Sequence, residues 1–127
     1  MVERTNTELT TFVGTVTVVQ KLNGNYGEEY DLNIKPEGIV IKGATGCFHE
    51  FLRISKNATE GSIPEGSIID SYLKELEAIM PEVRKAPTVE SALKLMVGKK
   101  FTFRKKQLGK AYKGHEASQH WVPVMLA

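Results

Sequence analysis

Cysteine is almost absent: Cys47 is the only one in 127 residues, so no internal disulfide framework can form. The intracellular reading follows by default, with the cytoplasm as expected location. No apolar run approaches the roughly 20 residues of a membrane-spanning helix. The opening MVERTNTELTTFVG also has no apolar stretch of signal-peptide type. Membrane partners are not expected. Gly43-Ala44-Thr45-Gly46 is not followed by the Lys and Ser/Thr of a phosphate-cradling loop. Cys47, His49, His115 and His120 match no zinc spacing, and no carboxylate pair stands out beyond Glu28-Glu29 in a turn. Neither a cofactor nor an enzymatic activity is expected on these grounds.

Hydrophobic residues make up 41% and charged residues 25%, the balance of a soluble globular chain rather than a disordered one. The length fits one domain over 1–127, large enough for a true core. The net charge of +2 hides an asymmetry. Residues 1–60 carry 6 basic and 8 acidic side chains, and residues 61–93 carry 3 and 6. Residues 94–127 carry 8 basic and one acidic, a local charge of +7. Segregation of this kind fits either a polyanion partner or a solvated surface.

Thr11 to Lys21 is rich in Thr and Val, which suits a strand, and Gly14 within it predicts a bulge or bend. Residues 22–27 supply turn chemistry. Tyr30, Leu32 and Ile34 then alternate with polar residues at the period of a half-buried strand. An antiparallel hairpin is predicted. Pro36-Glu37-Gly38 ends it, and either residues 39–42 or residues 48–54 supply the third main strand. Residues 55–66 read as a loop.

A helix is predicted from Ser67, whose hydroxyl and the Asp70 carboxylate resemble a capping box, to Pro81. Its stripe of Ile68, Ile69, Tyr72, Leu73, Leu76, Ile79 and Met80 is wide enough to suggest a homo-oligomer through this helical insert, about 67–97. A second helix starts at Thr88 and stops at Gly98. Strands return at 99–107, with Phe101 and Phe103 on one face, and at 121–126, where Pro123 marks an edge or bulge.

The order is three strands, helices, two strands. It is the order of the OB-fold, a five-stranded Greek-key barrel with one or two helices between strands 3 and 4. Phe12-Val13-Gly14-Thr15-Val16, followed by Asn25-Tyr26-Gly27 and the strand to Ile34, resembles the first hairpin of phage and archaeal single-stranded DNA-binding OB-fold proteins. Leu95-Met96-Val97-Gly98-Lys99-Lys100-Phe101 is similar to their entry into the fourth strand. The resemblance implies a mainly β fold and binding of single-stranded DNA with little sequence preference, in replication, recombination or repair. RNA is a possible ligand of the same module, and a protein-interaction module is the alternative.

Such binding needs cations that follow phosphates and rings on which bases stack. Lys99, Lys100, Arg104, Lys105, Lys106, Lys110 and Lys113 are the candidate phosphate contacts, with Arg53 on the third strand beside His49 and Phe51. Tyr26 and Tyr112, in polar loops, are the candidate stacking rings. Phe51 either joins them or packs under the long helix. Phe101, Phe103 and Trp121 are expected in the core.

Overall fold

The computed structural model describes residues 2–4, 9–24, 27–41, 46–54, 67–109 and 118–127. Tyr26, Lys110, Tyr112 and Lys113 lie outside the described residues. Strand β1 (Val2–Arg4) is followed by the long β2 (Thr11–Gly24) and β3 (Gly27–Pro36). A short β4 (Ile39–Ile41) precedes β5 (Phe48–Arg53). Helix α1 (Ile68–Ile79), a 3-10 turn (Pro81–Lys85) and α2 (Val89–Lys94) lead into β6 (Lys100–Leu108) and β7 (Ser118–Leu126).

Five strands form one antiparallel sheet in the order β5-β3-β2-β6-β7. The open choice for the third main strand is resolved in favour of β5. Residues 39–41 instead pair in parallel with Val2–Arg4 in a separate two-stranded sheet, an arrangement that local sequence does not announce. β2 is central and long enough to pair with β3 along most of its length and with β6 over Thr11–Thr15.

The period-two pattern is realised as read. Tyr30, Leu32 and Ile34 are fully buried, as are Phe101 and Phe103 on β6. Phe12 lies at the centre of an aromatic cluster, its ring centroid 4.5 Å from Phe48, 4.8 Å from Trp121 and 5.4 Å from Phe103. Trp121 is a core residue. Helix α1 is capped by Ser67, whose hydroxyl accepts from the Asp70 backbone N–H at 3.2 Å. The Asp70 carboxylate pairs with Lys74 one turn on. The wide apolar stripe is accounted for within the chain: Ile69, Tyr72, Leu76 and Met80 are buried, and Ile68, Leu73 and Ile79 pack against the same core. Thr88 and Ser91 form a reciprocal capping box, but α2 stops at Lys94, earlier than Gly98.

Gly14 does not mark the bulge. The register shift between β2 and β3 falls between Val16 and Val18. A side chain at Gly14 is excluded by close packing, since a Cβ there would lie 2.8 Å from Ile34 Cγ2, 2.9 Å from Phe12 Cε2 and 3.0 Å from the Lys35 carbonyl oxygen. The last of these is backbone and cannot swing aside. Gly14→Ala is therefore expected to destabilise the protein by about 1–3 kcal/mol, as overpacking does, read as a lower denaturation midpoint in urea. Pro123, by contrast, sits on the outer strand β7 beside a register shift against Thr102 and Phe103, as its chemistry requires.

Candidate nucleic-acid interface

The outward face of β5 presents His49, Phe51 and Arg53, alternating with buried Phe48, Glu50 and Leu52. Phe51 does not pack under α1: it is 46% exposed and stacks on His49, with ring centroids 5.9 Å apart and planes 9° from parallel. Beneath this stack lies Asp31 of β3, only 4% exposed. The His49 Nδ1 is 3.0 Å from Asp31 Oδ1, and Gln20 Nε2 donates to Oδ2 at 3.4 Å. An ionised carboxylate only accepts, so the Nδ1 position of His49 carries the proton. The imidazole is thereby held parallel to Phe51, and the acidic group is covered rather than presented to an anionic ligand.

A cavity of about 320 Å³ lies between β5 and β7. His49 and Phe51 line it from β5, Lys105 from β6, and Gln119 and Trp121 from β7, with buried Glu50 and His120 completing the lining. Lys105 Nζ lies 5.0 Å from the Trp121 ring centroid, a cation–π arrangement that fixes the ammonium at the cavity.

Glu50 bridges the two outer strands. One oxygen accepts from the Trp121 backbone N–H and the other lies 2.6 Å from His120 Nδ1. The other nitrogen of His120 lies 2.7 Å from Ser118 Oγ. Tyr72 of α1 donates its hydroxyl to the Trp121 carbonyl at 2.9 Å. Burial pushes the Glu50 carboxyl above its ordinary range, against the opposing pull of His120 and the Trp121 N–H. Burial, with the Glu50 charge behind it, also pushes the Tyr72 phenol well up. Ser118, His120 and Glu50 are thus hydrogen-bonded in series, but Ser118 is not among the residues lining the cavity. The chain of bonds satisfies a buried histidine and ties β5 to β7.

The basic cluster is less bare than its sequence. Lys99 reaches Glu82 at 3.4 Å, Lys100 reaches Glu37 at 3.1 Å, and Lys106 reaches Glu75 of α1 at 3.2 Å. Acidic residues of the first two-thirds of the chain fold back over the basic third. The Glu82 carboxyl is held below its usual range, first by its own backbone N–H and further by Lys99. Lys106 is half-buried and turned to α1, whereas Lys100 and Arg104 are exposed. Among the described residues, Arg104 makes no ion pair. Pairs as exposed as Lys99 with Glu82 and Lys100 with Glu37 are screened by water and hold only weakly, so a phosphate can displace the carboxylate.

The sequence-predicted residues do not gather at one point. Phe51 and Lys105 line the seam between β5 and β7, and Arg53 follows Phe51 on the same face of β5, opposite Glu29 of β3. Lys100 pairs across to Thr15 where the chain enters β6, and the carbonyl of Lys99 just before it accepts from the Val16 N–H. Asp31, Glu50, Gln119 and His120 were not singled out by sequence as interface residues. Glu50 alone had a local signal, an acid at an inward-facing position between Phe48 and Leu52. Among the described residues, no three His, Cys, Asp or Glu side chains converge as metal ligands. Among the described residues, no helix is long and apolar enough to cross a membrane. No protein-family model matches the chain, and no curated protein matches it.

Proposed function

We propose that the protein is an OB-fold that binds single-stranded DNA with little sequence preference, acting without enzymatic chemistry in replication, recombination or repair in the cytoplasm. The observation that carries this reading is the exposed Phe51–His49 stack, anchored on Asp31 and followed along the same strand face by Arg53. Bases stack on rings of this kind irrespective of their identity, while neighbouring cations follow the backbone. The strand order supports the reading: the first main strand, β2, lies between the second and the fourth, and the helices join the third to the fourth. The outer faces of the second and third strands are those that OB-folds use for oligonucleotides.

Titration with equal lengths of single-stranded DNA, duplex DNA and RNA tests the proposal. Single-stranded DNA is expected to bind best, and duplex poorly because its bases are already stacked on one another. Log affinity should fall linearly with log salt, by about 0.7 per phosphate contacted. Arg104→Ala should weaken single-strand binding and flatten that slope by one contact. Affinity that ignores salt would remove the electrostatic half of the reading, and absence of any nucleic-acid binding would leave the protein-interaction module.

A further inference from the structure

We infer that the cavity between β5 and β7 is a pocket for one base of the bound strand, and that it selects guanine. The inference rests on the single-stranded DNA reading above and adds a base preference to it. A volume of about 320 Å³ is at the lower end of small-ligand pockets, suited to one nucleoside rather than to a run of them. Its mouth carries the Phe51–His49 stack, so a base leaving the stack can turn directly into it.

The polar groups at the cavity have a definite sense. The Lys105 backbone N–H donates to the Thr10 carbonyl at 2.9 Å, away from β7. Trp121, its register partner, turns its own N–H to Glu50 and its carbonyl to the Tyr72 hydroxyl. Lys105 and Trp121 are therefore a non-hydrogen-bonded pair of the ladder, and alternation makes Gln107 and Gln119 another. The N–H and C=O of Gln119 consequently point away from β6, on the cavity side.

A ligand here meets a backbone donor and acceptor side by side, together with the Lys105 ammonium, which only donates. Every base has an edge with one donor beside one acceptor, so Gln119 alone discriminates little. Lys105 does discriminate. Adenine and cytosine present an amino group where guanine presents O6, and an ammonium cannot accept from it. Guanine offers O6 and N7 as adjacent acceptors, the pair that lysine reads best. Thymine has no N7 and less ring surface. The buried Glu50 and His120 are already hydrogen-bonded to each other and add no competing demand.

The test uses oligo-dT of fixed length with a single central dG, dA or dC, against the wild type and Lys105→Met, whose side chain keeps an apolar stem over Trp121. The dG oligomer is expected to bind the wild type roughly 5- to 100-fold more tightly than the dA oligomer. Lys105→Met should abolish that ratio while still binding oligo-dT. The ratio is the readout, because loss of a mere phosphate contact weakens all oligomers alike. Equal affinities for the three oligomers would overturn the guanine pocket and leave the single-strand reading standing. A ratio retained in Lys105→Met would overturn the assignment to this cavity, and failure of every oligomer to bind would overturn both readings together.

Discussion

Replacing Glu50 by alanine is expected to lower the unfolding free energy by about 3–5 kcal/mol, because two buried groups, the Trp121 N–H and the His120 ring, lose their hydrogen-bond partner at about 1–3 kcal/mol each. At roughly 4 °C per kcal/mol this is a fall in Tm of ~12–20 °C. The reason lies in what the carboxylate replaces. β5 and β7 are the two outer strands of the sheet and share no backbone ladder. Glu50 supplies the bond between them, one oxygen on the Trp121 N–H and the other on His120. Glu50 and His120 are 4% and 7% exposed, so the groups orphaned by alanine have little access to water. Glu50→Gln should lose much less, because an amide retains an oxygen for the Trp121 N–H and stays neutral.

The same pair gives a pH dependence of defined sign. The folded Glu50 carboxyl titrates above its ordinary value of 4.5 because burial disfavours the charged form. Between the unfolded and the folded value, the folded protein binds more protons than the unfolded chain, so stability falls as pH rises through that window. Above the window the Glu50 contribution is fully lost and changes no further. Glu50→Gln has no such proton to lose. Urea denaturation at several pH values should show the wild type losing stability relative to Glu50→Gln as pH rises from about 4.5. Parallel profiles, or an alanine variant as stable as wild type, would show that the seam is held by something else.

The contrast between what the sequence announced and what it concealed follows sequence separation. Period-two alternation at Tyr30, Leu32 and Ile34, and the Ser67 cap before an apolar stripe, are local signals, and each structure they predict is present. Phe101, Phe103 and Trp121 are core for the same reason: apolar neighbours on one face leave them nowhere else to go. Glu50 had only half a signal. Its inward phase was readable, but its partner His120 lies 70 positions away. The acidic partners of the basic cluster were concealed in the same manner, since Lys100 meets Glu37 across 63 positions and Lys106 meets Glu75 across 31. A charge run read along the chain takes no account of acids brought to it by the fold. Gly14 was noticed for the right reason, an absent side chain, but the space is required by Ile34, Phe12 and Lys35 rather than by a bulge.

Phe51→Ala is expected to weaken binding to single-stranded DNA by roughly 5- to 150-fold, the equivalent of ~1–3 kcal/mol for one stacked base, while leaving Tm close to wild type. The two halves of that expectation have separate causes. Phe51 is 46% exposed, on the outward face of β5 with its ring stacked on His49, so its truncation opens no internal cavity. Phe103 is the comparison: fully buried against Phe12 and Phe101, it should cost about 3–5 kcal/mol of stability when cut to alanine. His49 remains in Phe51→Ala, still bonded to Asp31, so part of the platform survives and binding should be weakened rather than abolished. Asp31→Asn then separates orientation from stacking, because the amide no longer offers two equivalent acceptors to His49 and Gln20. That variant should lose less affinity than Phe51→Ala, and Phe51→Trp should restore or improve it through a larger ring. Fluorescence anisotropy with a labelled oligo-dT at low and physiological salt reads these variants, wild type and Arg104→Ala side by side. The stacking loss should be nearly the same at both salt concentrations, since a ring releases no counterions, whereas the loss from Arg104→Ala shrinks as salt rises. A Phe51→Ala protein that binds like wild type at both concentrations would remove this face as the platform.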